Sequence, residues 1–198
     1  DKTYDSETER FYYVTDMDDS TAVLIYYNNV ENGKPSNSKL VAYDASNENF
    51  HGPRTAIEQL PSTSEWRNVS LKNSTRAILN ENGGNTTNRG GTLLSNSSYA
   101  GYSARLLTVQ EINKACNITV GYKMTGELDT CNYLMENTKY SSSSLTNGYW
   151  LENAGSVHYS SAWLVYGKYR NVYDDTALDA NFAGVRPAIE VLKSNIEY

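Results

Sequence analysis

Histidine and cysteine, the residues behind much of enzyme chemistry, occur only twice each in these 198 residues. His51 and His158 stand far apart in loop-like surroundings, and neither Gly-x-Ser-x-Gly nor His-Glu-x-x-His occurs. The commonest hydrolase and metalloprotease signatures are therefore missing. The glycine pairs Gly83-Gly84 and Gly90-Gly91 lie in a polar loop rather than between a strand and a helix, so they form no phosphate cradle. Charge is scarce as well: 20% of residues are charged, the net charge is -6, and the 17 basic residues form no run. Nucleic acid and anionic membranes both need clustered Lys and Arg, so neither is an expected partner. No apolar run approaches the roughly 18–20 residues of a membrane span, which argues against direct membrane insertion by this sequence. Two isolated cysteines with distant histidines do not make a zinc site. The reading is of no enzyme, no cofactor and no metal.

What fills the space is Asn, Ser, Thr and above all tyrosine, 17 residues against three Phe. Tyrosine suits positions with one dry side and one wet side. The chain is 39% hydrophobic and long enough to bury a proper core, so 1–198 reads as one domain. Cys116 and Cys131 lie fifteen apart and are expected to pair; in the chain-entropy model such a loop contributes about 3 kcal/mol. A disulfide and this composition point to an extracellular, cell-surface location. The sequence opens on Asp1 rather than Met, which reads as a trimmed segment that once carried an anchor. Five Asn-x-Ser/Thr triplets, at Asn68, Asn73, Asn85, Asn96 and Asn117, are what this composition produces by itself.

In order, the pattern begins with a hairpin over 10–30, FYYVT and TAVLIYYNNV around a solvated turn at Asp16-Met17-Asp18-Asp19-Ser20. A helical region over 54–138 follows. Pro53 opens a short helix through Leu60, LKNSTRAILN (71–80) reads as a brief helix, and 81–98 as a loop. Thr108 and Glu111, three apart, form a capping box for the best-defined helix. A further helix over Gly126 to Thr138 places Leu128, Cys131, Leu134 and Met135 on one face. Beyond the Asn147-Gly148 turn come strands, with a turn at Gly167-Lys168 and Pro187 pushing the last strand to an edge or bulge.

The segment 149–191 reads as the ligand-binding part. Alternation sends Trp150, Trp163 and Phe182 into the core, while other aromatics sit among Ser, Gly, Asn and Asp, the mixture of a recognition surface. The candidate ligand-binding residues are Asn153, Ser156, His158, Tyr159, Lys168, Tyr169, Asn171, Tyr173, Asp174, Asp175, Asp179 and Asn181. The Asp174-Asp175 pair reads as a solvated turn rather than an acid/base site. Arg186, alone in an apolar strand, reads as a structural hydrogen-bonding residue.

SARLLTVQEI (103–112), Gly148-Tyr149-Trp150-Leu151, Ser161-Ala162-Trp163-Leu164-Val165 and Gly184-Val185-Arg186-Pro187-Ala188-Ile189 together resemble bacterial C-type-lectin-fold surface domains on pilin-like proteins of gut Firmicutes. The opening hairpin looks like that of the pilin-linked group. The resemblance implies an α+β fold: a twisted antiparallel sheet flanked by two helices, with a long loop-rich C-terminal half. In several such proteins that half is varied by a diversity-generating retroelement. The same order of signals is seen in formylglycine-generating-enzyme-like domains, but their C-terminal active-site cysteines have no counterpart here. The Glu-Pro-Asn and Trp-Asn-Asp signatures of calcium-dependent lectins are missing too, so calcium and sugar are not implied. The expected function is ligand binding or cell adhesion toward a protein or glycan on another cell, host or phage. The alternative is a structural pilin-like or surface-layer subunit that packs through the same face.

Overall fold

A computed structural model describes residues 10–36, 38–87, 99–119, 126–127, 129–135, 148–166, 171–175, 178–179 and 181–196. The chain is α+β with antiparallel strands. Its opening hairpin, β1 (Phe11–Asp16) and β2 (Thr21–Tyr26), forms as the alternation requires. The Asp18 carboxylate ties off the intervening turn by accepting from the Ser20 and Thr21 amides, each at 2.8 Å. Next come the two-residue strands β3 (Val30–Glu31) and β4 (Lys34–Pro35), then one turn of helix, α1 (Arg54–Ile57). Helix α2 (Val109–Cys116) precedes β5 (Gly126–Glu127), and a 3-10 segment covers Asp129–Leu134. Strands β6 (Gly148–Ala154), β7 (Ala162–Tyr166), β8 (Asn171–Asp175) and β9 (Ala188–Leu192) follow, and short 3-10 turns cover Asn49–His51 and Lys193–Asn195.

The strands sort into a three-stranded sheet, β1-β2-β9, a four-stranded sheet, β5-β8-β7-β6, and the small β3-β4 pair. One twisted sheet was expected; two main sheets are found. The last strand returns to the first hairpin, Leu24 facing Ile189, so the two ends of the described chain share a sheet. β9 begins just after Pro187 and lies at the edge of that sheet, where a residue without an N–H costs no ladder bond.

Both sheets separate the same two cores. Trp150 and Leu164 face one, with Tyr43, Leu60 and Ile78; Tyr149, Leu151, Trp163 and Val165 face the other, with Ile112 and the cysteines. Alternation along β6 and β7 makes both faces of these strands dry, so every residue of β6 is buried. Trp150 and Trp163 are core residues, as read from the sequence; Phe182 is half-buried against the same packing.

The helical region is smaller than expected. Residues 71–80 form turns, because their backbone donors go elsewhere: the Lys72 amide to Glu190 at 2.7 Å, the Thr75 amide to the Asn73 side chain, and the Asn80 amide to Gly84 O. Where 126–138 was expected to be helical, its described residues form β5 and the 3-10 segment, broken by non-helical backbone at Cys131. That segment still brings Cys131 to the end of α2, and Cys116–Cys131 is a disulfide with 5.7 Å between Cα atoms. No helix among the described residues is long and apolar enough to cross a membrane.

Arg105, Thr108 and Glu111 act as one unit. Thr108 Oγ1 accepts from the Glu111 amide at 3.1 Å while Glu111 accepts from the Thr108 amide at 2.9 Å, the reciprocal box expected. The same carboxylate takes two bonds from the buried Arg105 guanidinium, at 2.9 and 2.5 Å, and Arg105 Nε reaches Glu190 at 2.7 Å. Burial alone would raise the Glu111 carboxyl, but the Arg105 charge and these bonds outweigh it and hold it below its ordinary value. Arg186, fully buried, donates to the carbonyls of Tyr26, Tyr27, Tyr133 and Leu134 and lies over the Tyr149 ring. It joins the first hairpin to the disulfide-bearing segment, a structural role as read.

Candidate functional site

The loop 155–161 links β6 to β7 and is closed on itself, with the Gly155 amide on Ser161 O at 2.8 Å and the Ser161 amide on His158 O at 3.0 Å. A Cβ at 155 would fall 1.9 Å from Ser161 Oγ and 3.1 Å from Ser161 Cβ and O, so any larger residue there would force the Ser161 side chain to move. Beneath the loop lies Asn49, fully buried. Its amide nitrogen donates to Gly155 O, His158 O and Ser161 O at 2.7 to 2.8 Å, and its backbone N–H donates to Tyr159 O at 2.7 Å. One side chain from another part of the chain therefore fixes the loop's backbone from inside.

A second brace comes from the turn after Asn80. The Asn80 side-chain oxygen accepts from the Asn82 and Gly84 amides, each at 2.9 Å, which shapes the turn. Glu81 then grips Ser156 through its amide at 2.8 Å and its hydroxyl at 2.6 Å, and Asn82 reaches the same hydroxyl at 3.2 Å. Asp174, at the end of β8, lies within electrostatic reach of Glu81, His158 and Asp175. Partial burial, more than these neighbours, raises its carboxyl above the ordinary value.

Of the twelve expected ligand residues, the ten described ones do not form one surface. Tyr159 and Tyr173 are exposed, at 37% and 39%, and His158, Asp179 and Asn181 are exposed as well. Ser156, Asn171, Asp174 and Asp175 are half-buried. Asn153 points inward and is 1% exposed: its oxygen accepts from the Val109 amide at 2.7 Å, capping α2 from a distance, and its nitrogen donates to Leu79 O and Asn80 O. Lys168 and Tyr169 lie outside the described residues, as does the Gly167-Lys168 turn. The register of β8 divides the remainder. Tyr173 faces Leu164, and Asp175 faces Ala162; Asp174 faces Trp163 and so points to the opposite side of the sheet.

Sequence reasoning missed Asn49, Glu81 and Asn82. Asn80-Glu81-Asn82-Gly83 is legible as a turn, but nothing local marks its docking on Ser156 or the approach of Asn49. Another polar trio sits close by: buried Asp44 accepts from the Ser46 hydroxyl at 2.7 Å and contacts His51 Nδ1 at 2.7 Å. Ser46 Oγ lies 3.1 Å from that same nitrogen, whereas a nucleophile triad needs the hydroxyl on the ring's other nitrogen. The trio is a loop clasp in this geometry. Among the described residues no group of three or more His, Cys, Asp or Glu could hold a metal ion. No protein-family model matches the chain, and no curated protein or solved structure gives a match.

Proposed function

We propose that this chain is an extracellular recognition module of the C-type-lectin type, which binds a protein or glycan through the outer side of the 155–161 loop and the adjoining face of β8. The observation that carries the reading is the exposure of Tyr159 and Tyr173 on backbone that is already fixed. Asn49 holds the loop carrying one ring, and the β7-β8 ladder holds the strand carrying the other. Stiff aromatic anchors on a preformed scaffold bind without a large ordering cost, and neighbours such as His158, Asn171 and Asp175 supply polar selectivity. The antiparallel α+β architecture, the Arg105-Thr108-Glu111 unit and the closing Gly184-Val185-Arg186 segment support the lectin-type fold. Variation of the C-terminal half by a retroelement belongs to the same proposal.

The test is capture on arrays of cell-surface proteins and glycans, with wild type beside Tyr159→Ala/Tyr173→Ala. Aromatic anchors contribute about 2 kcal/mol or more each, so each single variant should lose binding by roughly 30-fold and the double variant by roughly several hundred-fold. Its melting temperature should stay near that of wild type, since exposed substitutions shift stability by only about 0.5 kcal/mol. Equal binding by both proteins refutes the proposed face. Concentration-dependent self-assembly that the double variant abolishes, without any captured ligand, would favour a structural subunit instead.

A further inference from the structure

Away from that face, the described residues form a cavity of about 550 Å³ between the β3-β4 hairpin and the 65–69 turn. That volume falls within the roughly 300–1,000 Å³ usual for small-ligand sites. Its floor is aromatic: Phe11, Tyr26 and Trp66 pack edge-on or tilted, with centroids 5.0 to 5.7 Å apart, and Trp66 stays half-exposed. The walls are held in place. Asn32 and Gly33 both take positive φ, as a two-residue hairpin turn requires, and the Gly33 amide donates to Gln59 O at 2.9 Å. A Cβ at Gly33 would come within 3.0 Å of Pro61 Cα, so glycine permits the close seating of the hairpin. Opposite, Glu65 accepts from the Ser62 amide and hydroxyl, both at 2.8 Å, and fixes the turn that carries Trp66 and Arg67.

The charges on the walls single this cavity out. In an acidic chain, most described basic side chains are engaged. Lys39, Lys72, Arg76, Arg105 and Lys193 pair with carboxylates, while Lys114 and Arg186 donate to carbonyls. Lys34 and Arg67 are both exposed, one on each wall, and neither has a carboxylate within ion-pair distance among the described residues. Arg67 Nε is fixed on Ser64 O at 2.9 Å, which leaves its fork directed by the turn. Glu65 offsets one of the two positive charges, and its carboxylate is already bonded to Ser62. The cavity thus combines an aromatic floor, a net positive rim and the exposed Asn68 amide.

We propose that this cavity binds a small ring that presents an apolar face and carries a carboxylate, the ring lying against Trp66 and the acid between Lys34 and Arg67. Two sources share that chemistry, an aromatic acid and a uronic-acid sugar. The site is separate from the Tyr159/Tyr173 face and does not rest on it. Fluorescence isolates it well, because Trp150 and Trp163 are fully buried and Trp66 is the one remaining tryptophan of three. The experiment titrates the protein with 3-phenylpropionate and galacturonate, and with 3-phenylpropanol and galactose as uncharged counterparts. Expected is a saturable change in emission with at least one acid and none with its counterpart; the acid that saturates identifies the source. Lys34→Gln/Arg67→Gln, both at exposed positions, should weaken that binding about tenfold or more, the usual loss of a charge-assisted bond, with an unchanged circular-dichroism melt. Trp66→Phe should abolish the optical signal while calorimetry still records the binding heat, and Tyr159→Ala/Tyr173→Ala should bind as wild type does. Saturation by neither acid, equal binding of an uncharged counterpart, or undiminished binding by Lys34→Gln/Arg67→Gln would each overturn the proposal.

Discussion

Asn49 supplies one buried amide group to three loop carbonyls. Leaving buried acceptors unmatched costs about 1–3 kcal/mol. Asn49→Ala should therefore lower stability by that amount in a denaturant titration and speed amide exchange within 155–161 more than elsewhere. Unchanged exchange in the loop would show that Asn49 does not brace it. At this scale, sequence reading succeeded where a residue was out of place in its own stretch. Arg186 stood alone in an apolar strand, and its fully buried guanidinium is bonded to carbonyls. It failed where the meaning lay with a distant partner. Asn49 is over a hundred residues from the loop it holds, and Asn153 looks like a polar surface residue until the Val109 amide and Asn80 O are found against it.

Helix α2 shows which elements announce themselves. A capping box is completed within four residues, so Thr108 and Glu111 were legible, and their helix begins where the spacing put it. Glu111 also holds the buried Arg105, and removing one partner of a buried pair costs about 3 kcal/mol or more. The carboxyl of Glu111 is lowered in the fold, so its contribution is present above the ordinary value of 4.5 and is lost as pH falls through the lower folded value. Glu111→Gln should be markedly less stable than wild type at pH 7, with the gap closing as the pH drops below about 4.5; a gap independent of pH would contradict the pairing. Where local signals compete, reading failed: 71–80 has helical apolar spacing, yet Asn73 folds it into a turn and Lys72 binds Glu190. The described part of 126–138 likewise departs from its helical spacing, and Cys131, with non-helical backbone, is tied to Cys116 on another element.

Across the molecule, Glu152 links the site to the core. It is 1% exposed, pairs with Arg76, accepts from the Tyr99 hydroxyl at 2.8 Å, and follows Leu151 directly into Asn153. Burial raises its carboxyl despite the Arg76 and Arg105 charges. The sign is opposite to that of Glu111: the neutral form is favoured in the fold, so the related stability is complete below 4.5 and is lost as pH rises through the higher folded value. Glu152→Gln and wild type should melt close together at pH 4, and wild type should fall behind the variant as pH rises toward 7. A widening in the other direction would mean that the ion pair outweighs desolvation. While the α+β class came from the resemblance, the hairpin, the core tryptophans, the edge strand at Pro187 and the cysteine pairing were readable from alternation, spacing and composition. The division of the expected ligand surface was not, because the side to which Tyr173 and Asp174 point depends on the β7-β8 register.

The claim at the centre is that exposed tyrosines on a braced loop and strand meet the ligand. Hydrogen–deuterium exchange on the complex with whatever the arrays retain tests it most directly. Protection concentrated at 155–161 and 171–175 is the predicted result. Protection confined to other parts of the chain, with those two segments exchanging as in the free protein, would contradict it.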